Sequence, residues 1–394
     1  YFMLVRNHKS VIIRDEVNGP DGPEEKLKGR SSEDECWDFI VKDLDFAADN
    51  LPLKWPANRT GLITRGAAMA FKSRAMLYAK RWEAAEEAAM EVIKHEGNLY
   101  ELLDNYEDAL TVKDTKDAVL AFRFTGNVTH SIYFDKYYSP SGDFDKSNTD
   151  IKVLAVPTQE MVDMYKMADG SDFDWANAEH AANPYANRED RFYKSILYNG
   201  ATWKNRDIET YVGGKDGFVE FGSVLHPNTT TTGYFIRKLL NEKVQDMGEK
   251  GITNWAEIRY AEVLLNHAEA CVEQGKVAGA LKSLNKVRSR AKLPELETTS
   301  AENLKHIVRH ERTVELAFEG HRYWDLRRWR LSYTLLNGTK MHGMKITKDA
   351  SGTLNYEVVE CDKKPRVFEE RYYQFPIPNS EIVNNELCTQ FDKW

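Results

Sequence analysis

Apolar residues recur every three or four positions in several long stretches of the chain, which is the spacing of one face of an α-helix. The predicted helical segments are 32–50, two helices within 65–95, two within 256–293 and one long helix over 301–336. Thr299 and Glu302 have the spacing of a capping box before the last helix, and Asn337 with Gly338 supplies an end signal. The pattern therefore predicts a mainly α-helical fold.

Two of these stretches share a second pattern, in which small residues sit where paired helices must approach closely. Within 256–293 the spacing is that of positions 8, 11, 20, 24 and 27 of a tetratricopeptide repeat, at Ala268, Cys271, Ala280, Leu284 and Val287. The stretch 65–95 fits the same frame with a slightly shorter turn. Repeats of this type need about three stacked units to bury a core. We expect the segments 32–50 and 301–336, or residues before the first one given, to complete the stack.

The stretch 309–330 combines apolar positions on both sides of a helix with an unusual density of charge. Glu311, Glu315 and Glu319 are spaced four apart, an arrangement that repels unless arginines neutralise it. Arg312 and Arg322 could do so from within the helix. Such a stretch is either a catalytic site or an internal clamp. We interpret it as a structural clamp, formed by Glu311, Glu315, Arg322, Trp324, Asp325 and Trp329.

The chain between the two helix pairs has little periodicity. A strand is predicted at 118–124, a short capped helix at 157–166, and a small β element over 345–375. The segment 125–250 is rich in Gly, Asn, Asp, Tyr and Trp, and long irregular segments in compact proteins are usually functional. Sugar rings stack on aromatic side chains, while amides bond to hydroxyl groups. The candidate ligand-binding residues are Trp175, Trp203, Tyr211, Tyr185 and Asn205, although several aromatics of this segment could instead be local core.

Composition excludes some classes of function. The 394 residues carry a net charge of −8 and have no long basic run, which argues against a nucleic-acid surface. No apolar run reaches the length of a membrane span. The four cysteines are widely spaced, without a CxxC pair, and indicate neither a zinc site nor a disulfide framework.

Motifs for catalysis are also missing from the sequence, which has no P-loop, dinucleotide-binding GxGxxG, GxSxG or HExxH. His306 and His310 have the spacing of two helical metal ligands, but no third ligand is evident. The acidic segment 169–174 lacks the calcium-loop pattern and is interpreted as a surface turn. We therefore expect a binding protein that is not an enzyme and that needs no cofactor or metal.

The charged stretch, ERTVELAFEGHRYWDLRRW at 311–329, closely resembles the hallmark helix of the SusD/RagB family. Other segments resemble that family in the same order along the chain: YFMLVRNHKSVII, RSSEDECWDFIVKDLDFAADNLP, PTQEMVDMYKMADG, NREDRFYKSILYNGATW and FPIPNSEIVNNELCTQF. The resemblance spans essentially the whole chain. It implies tetratricopeptide-like helix pairs forming a scaffold, with an irregular part and minor β elements packed on it.

The same resemblance implies a function. Members of the family sit on the extracellular face of the outer membrane, held by a lipid on an N-terminal cysteine. They bind glycans, or in some cases peptides, and pass them to a SusC-like TonB-dependent transporter. The opening residues have no initiator Met, signal peptide or helix cap, so we interpret the chain as a fragment or processed form without its anchor. The alternatives are a peptide-binding importer subunit and a helical-repeat module that docks another protein.

These observations predict one SusD-like domain over 1–394. Its helical scaffold is expected at 32–110 and 256–336, its candidate ligand-binding region at 125–250, and a β and loop segment at 337–394.

Overall fold

The structure is a computed structural model that describes residues 1–16, 28–131, 137–143, 153–220, 229–243, 250–251, 253–297 and 299–394. Helices dominate its regular structure, which confirms the predicted fold class. In chain order they are α1 (Phe2–His8), α2 (Glu33–Asn50), α3 (Arg65–Ala79), α4 (Trp82–Ile93), α5 (Asp108–Thr111), α6 (Gln159–Asp163), α7 (Ala178–Ala182), α8 (Asp190–Ser195), α9 (Tyr260–Glu273), α10 (Val277–Arg290), α11 (Ala301–Glu315), α12 (Arg322–Arg328), α13 (Ser332–Leu336) and α14 (Asn379–Asn384). Three short 3₁₀ turns cover Ala57–Arg59, Ser141–Asp143 and Glu370–Tyr373.

The strands are short and pair two by two in antiparallel fashion. In chain order they are β1 (Ala118–Phe122), β2 (His130–Ser131), β3 (Ile196–Leu197), β4 (Thr202–Trp203), β5 (Arg206–Asp207), β6 (Phe235–Ile236), β7 (Lys250–Gly251), β8 (Trp255–Arg259), β9 (His342–Lys348) and β10 (Leu354–Glu360). The pairs are β1 with β8, β2 with β7, β3 with β6, β4 with β5 and β9 with β10. The predicted strands at 118–124 and within 345–375 correspond to β1 and to β10.

The two predicted helix pairs are neighbours in space although the irregular segment separates them in sequence. Helix α9 packs against both α3 and α4, α2 covers α3, and α11 covers α9 and α10. Small buried residues such as Ala89 and Ala268 permit the close approach of these helices, which share one hydrophobic core. The segments proposed to complete the stack, α2 and the first part of 301–336, therefore lie where they were expected.

The prediction of one continuous helix over 301–336 is wrong. Helix α11 ends at Glu315, and α12 begins only at Arg322. The break contains Phe318 and Gly320, whose φ angles of 65° and 84° lie in the left-handed region, where a right-handed helix cannot continue. The first turn is capped by Ser300, whose hydroxyl accepts a hydrogen bond from the Asn303 amide, rather than by Thr299.

The irregular segment carries its own small cores. One contains Tyr165, Phe192 and Tyr234 and extends to Met344 and Ile346 of β9, which fastens the β9–β10 hairpin to it. Another surrounds the fully buried Trp203. The second half of the predicted β element, RYYQFPIP, contains a 3₁₀ turn at Glu370–Tyr373 instead of a strand. Among the described residues, none of the helices has the length and apolar character needed to cross a membrane.

Candidate functional site

The charged stretch forms a buried ionic network that joins three parts of the fold. Glu315 accepts from Arg290 at 2.5 Å and from Arg259 at 3.1 Å, and Glu311 pairs with Arg191 at 2.6 Å. These arginines belong to α10, β8 and α8, so side chains from neighbouring elements hold α11 in place. Burial would raise the pKa of Glu315, but the arginines outweigh burial and lower it. A carboxylate held ionised in this way cannot serve as a general acid near neutral pH.

A second part of the network forms around α12. Asp325 accepts from Arg312 Nε and Arg328 Nε, each at 2.8 Å. Arg328 also donates to Glu269 of α9 at 2.6 Å, and the indole nitrogen of Trp329 donates to the same carboxylate at 2.7 Å. The interpretation as an internal clamp therefore fits the positions of Asp325 and Trp329.

Two residues predicted to belong to the clamp, Arg322 and Trp324, lie outside this ionic network. Arg322 donates to the Thr313 hydroxyl at 2.9 Å and forms no ion pair with a carboxylate among the residues that the structure describes. The reason is the break after α11, which turns Arg322 away from the glutamate column. Trp324 is only half-buried, and its ring lies under the Arg6 guanidinium at 3.6 Å. The predicted neutralisation of the column by Arg322 is thus wrong, because arginines from other elements supply it.

The segment 167–187 encloses a basin of about 720 Å³. Its wall is mostly exposed and combines alanine side chains with the polar residues Asp169, Ser171, Glu179, His180, Asn183 and Asn187. Local hydrogen bonds shape it: Asp169 accepts from the amide and hydroxyl of Ser171, and Asn177 caps α7. Part of the acidic segment 169–174 thus stabilises the turn that the segment forms, as predicted for a surface turn.

Trp175 does not line this basin but is joined to it through two ring contacts. Its ring meets Phe173 edge-on with centroids 4.9 Å apart, and Phe173 in turn stacks on His180, a basin residue, at 5.4 Å. The Trp175 indole donates to Asp163 at 3.2 Å, and Arg188 covers the other side of this group at 4.4 Å from Phe173. Trp175 is therefore a half-buried aromatic side chain that its hydrogen bond and ring contacts hold in one orientation near the basin.

Two other aromatic candidates are buried, which contradicts a role in surface stacking. Trp203 is 1% exposed, and its indole nitrogen donates to Asp143 at 2.8 Å. Tyr185 is 7% exposed and packs among Phe192, Tyr198 and Tyr234. Both side chains belong to the small cores of the irregular segment, which was the alternative recognised from sequence.

Tyr211 and Asn205 have different surroundings again. Tyr211 is half-buried on the same core as Trp175, with the Lys348 ammonium 5.1 Å from its ring centroid. Asn205 is exposed at the tip of the β4–β5 hairpin. Lys204 and Asn205 have φ angles of 46° and 60°, and asparagine is favoured in such a two-residue turn. The turn therefore explains why asparagine occurs at position 205 without invoking a ligand. Trp175 and Tyr211 remain candidates for contact with a ligand.

One group in the described part of the chain has residues of the types that hold a metal ion, namely Glu86, His267 and Cys271. Each already has another partner. Glu86 accepts from Lys276 at 2.5 Å, His267 is 2.9 Å from the Ser283 hydroxyl, and burial raises the pKa of Cys271 to about 12. A carboxylate already paired with a lysine is poorly prepared for a cation. The four cysteines are buried free thiols.

A second aromatic concavity involves residues that the sequence did not single out. Tyr372 and Trp394 stack with centroids 5.8 Å apart, and Trp394 borders a cavity of about 370 Å³ that is also lined by Arg330 and Tyr373. Its residues come from distant parts of the chain, and no local pattern marks them.

Comparison with known proteins agrees with this architecture. The family model of the SusD family matches residues 116–394. A SusD-like protein of Bacteroides ovatus is 25% identical over 99% of this chain and 71% of the relative. A crystal structure of a SusD-like protein from Bacteroides fragilis has a TM-score of 0.84 with 31% identity, covering 100% of this chain and 77% of the other. A SusD-like carbohydrate binding protein from the same species has a TM-score of 0.83 with 25% identity, covering 98% and 77%. The chain belongs to the SusD family.

Proposed function

We propose that this protein is a non-catalytic carbohydrate-binding subunit of a nutrient importer, and that it captures an oligosaccharide at the basin formed by residues 167–187. The observation that carries the proposal is the Trp175–Phe173–His180 group, whose His180 lines the basin beside polar side chains. A similar protein of known structure is described as carbohydrate binding, which supports the same class of ligand.

The chemistry of the basin suits a hydroxyl-rich ligand. Asn183 and Asn187 each offer amide donors and a carbonyl acceptor, while Asp169 and Glu179 offer acceptors. The volume of about 720 Å³ falls in the range of small-molecule sites. A sugar ring would place its C–H face on the aromatic group and its hydroxyls on the amides and carboxylates.

The same proposal includes delivery. The bound glycan would pass to a SusC-like TonB-dependent transporter in the outer membrane, with this protein on the extracellular face, held by a lipid anchor in the full-length form. Membership of the SusD family supports this step. It is tested separately, by co-purification of the tagged protein with a transporter from its native membrane.

The binding step is tested by calorimetric titration of the protein with oligosaccharides from plant, host and microbial polysaccharides, and with peptides of similar size. We expect saturable binding of at least one oligosaccharide, without release of reducing ends on prolonged incubation. Binding of peptides with no glycan bound would replace the carbohydrate by a peptide, and release of reducing ends would contradict the non-catalytic role.

A further inference from the structure

Two arginines that are far apart in the sequence lie against the ring of one tryptophan. The guanidinium carbon of Arg6, on α1, is 3.6 Å from the ring centroid of Trp324. That of Arg327, on α12, is 5.8 Å from the same ring and 4.6 Å from Phe375. Guanidinium groups stack on aromatic faces through their planes, which leaves their N–H edges free to donate.

Neither arginine has a carboxylate partner in the parts of the chain that the structure describes. Arg327 is 6% exposed and donates to the hydroxyl of Tyr323 and the carbonyl of Tyr372, which are both uncharged. The Nε of Arg6 is buried and has no hydrogen-bond partner. The neighbouring Arg328, in contrast, is paired with both Glu269 and Asp325.

These two unpaired cations line a small cavity of about 110 Å³. We call it the arginine cleft; its wall includes Arg6, Lys9, Lys80, Trp324, Arg327 and Arg330. Lys80 and Arg330 are exposed and mark its rim. The acidic residue in the wall, Glu33, lies 3.6 Å from Lys9. The larger cavity beside Trp394 shares Lys9 and Arg330 with the cleft, so the two concavities adjoin.

Arg327 is buried and Arg6 is half-buried, and a positive charge removed from water is costly unless an anion compensates it. Burial lowers the pKa of both Arg6 and Arg327. The charge of Arg74 lowers the pKa of Arg6 further, while Tyr78 and Glu257 oppose that shift, and the charge of Arg6 lowers the pKa of Arg327. The rest of the molecule solves this problem with carboxylates, as at Glu315 and Asp325. In the cleft, Lys9 pairs with Glu33 and Arg330 with Glu370, but Arg6 and Arg327 have no carboxylate partner among the described residues, although the protein as a whole has a net charge of −8.

We propose that the arginine cleft binds an oxyanion, namely a sulfate, a phosphate or the carboxylate of an acidic sugar. The N–H edges of Arg6 and Arg327 would donate charge-assisted hydrogen bonds to its oxygens. The cleft has room for one such group, and the adjoining cavity with Tyr373 and Trp394 has room for an attached ring. This site is distinct from the basin of residues 167–187 and does not depend on the function proposed for that basin.

The test is a calorimetric titration of the protein with sodium sulfate, sodium phosphate and sodium glucuronate at constant ionic strength, with sodium chloride and glucose as reference ligands. We expect saturable binding of at least one oxyanion and none of glucose. Tighter binding of glucuronate than of inorganic sulfate or phosphate identifies a sugar acid as the ligand; the reverse identifies a free anion. No saturable binding of any of the three would overturn the proposal.

Variants locate the site. Arg6→Gln is expected to weaken oxyanion binding at least tenfold. Lys80→Asn, at an exposed position with φ of 57° that asparagine tolerates, should weaken it about threefold without threatening the fold. The matched control is Arg65→Gln. Arg65 is thirteen residues from Tyr78, which also lines the cleft, on the same helix, and therefore lies about 20 Å from it. Equal affinity of Lys80→Asn and the unsubstituted protein, or an equal loss in Arg65→Gln, would contradict the assignment.

Discussion

Arg191 Nη1 lies 2.6 Å from Glu311 Oε1, and both side chains are about 1% exposed. Arg191 belongs to the irregular segment and Glu311 to the helical scaffold. Arg191 also pairs with Glu189 at 2.7 Å and with Glu315 at 3.2 Å. One guanidinium thus fastens the loops that carry the candidate basin to the repeat scaffold. The position of the ligand-binding surface and the stability of the scaffold therefore depend on the same buried charges.

Replacing Glu315 by alanine is expected to lower the free energy of unfolding by about 3–5 kcal/mol, because it leaves buried arginines without their partner. Arg290, Arg259 and Arg191 all contact this carboxylate. Equilibrium unfolding in urea, followed by tryptophan fluorescence, measures the change.

The matched variant for that experiment is Arg322→Ala. Since Arg322 donates to the Thr313 hydroxyl and has no carboxylate partner within the described ranges, we expect a loss of about 1 kcal/mol. Equal losses for the two variants would mean that Arg322 shares the buried network after all. A Glu315→Ala protein that folds with unchanged stability but binds no ligand would restore a functional role for the charged stretch.

Trp175→Ala is expected to weaken oligosaccharide binding by about 1–3 kcal/mol, roughly 5- to 150-fold in affinity, if its ring is a central stacking contact. The fold should tolerate the change because the ring is only half-buried. Titration of the variant with the best oligosaccharide ligand measures the loss.

Trp203→Ala provides the contrast. Its ring is 1% exposed in a core of the irregular segment, so truncation should cost about 3–5 kcal/mol of stability. A stable Trp203→Ala protein with a selective loss of glycan affinity, beside an unaffected Trp175→Ala, would reverse the roles that the structure gives these two residues.

Helix periodicity and small-residue spacing were enough to predict the scaffold, because both describe contacts between residues near in sequence. The pairing of α3–α4 with α9–α10 follows from the need of each pair to bury its apolar face. The break after Glu315 was missed, because Phe318 adopts a left-handed conformation that its residue type disfavours and that tertiary packing imposes.

The candidate site was predictable only in part. Trp175, Trp203 and Tyr185 lie in equally irregular sequence, and no period distinguishes a buried aromatic residue from a half-buried one. The distinction comes from long-range contacts, such as the bond from Trp203 to Asp143. The arginine cleft was missed for the same reason, since its walls come from α1, α2, α3 and α12, which are far apart in the sequence.

Gly66→Ala is expected to destabilise the protein by about 1–2 kcal/mol, although alanine is the better helix former. An added Cβ would lie 2.7 Å from Cζ of Tyr100 and closer still to its hydroxyl, and the overpacking cost of about 1–3 kcal/mol exceeds the gain in helix propensity. Unfolding in urea of Gly66→Ala, Tyr100→Phe and the double variant tests this. Tyr100→Phe should recover part of the loss in the double variant, and strictly additive effects would show that the two residues do not clash.

Stability should fall in mild acid because of His321. Burial lowers its pKa from 6.5 to about 4, with Glu262 opposing the shift and Arg312, Arg74 and Asp325 nearby. Between these values the unfolded chain binds a proton that the folded protein excludes, so the free energy of unfolding decreases as the pH falls from about 6.5 to 4, by up to about 3 kcal/mol. Burial also lowers the pKa of His267 and His310, so His321→Gln should flatten this decline without abolishing it. Urea unfolding at several pH values measures the slope, with the exposed His306→Gln as the control that keeps it. An identical slope in His321→Gln and the unsubstituted protein would show that His321 is not the group that titrates.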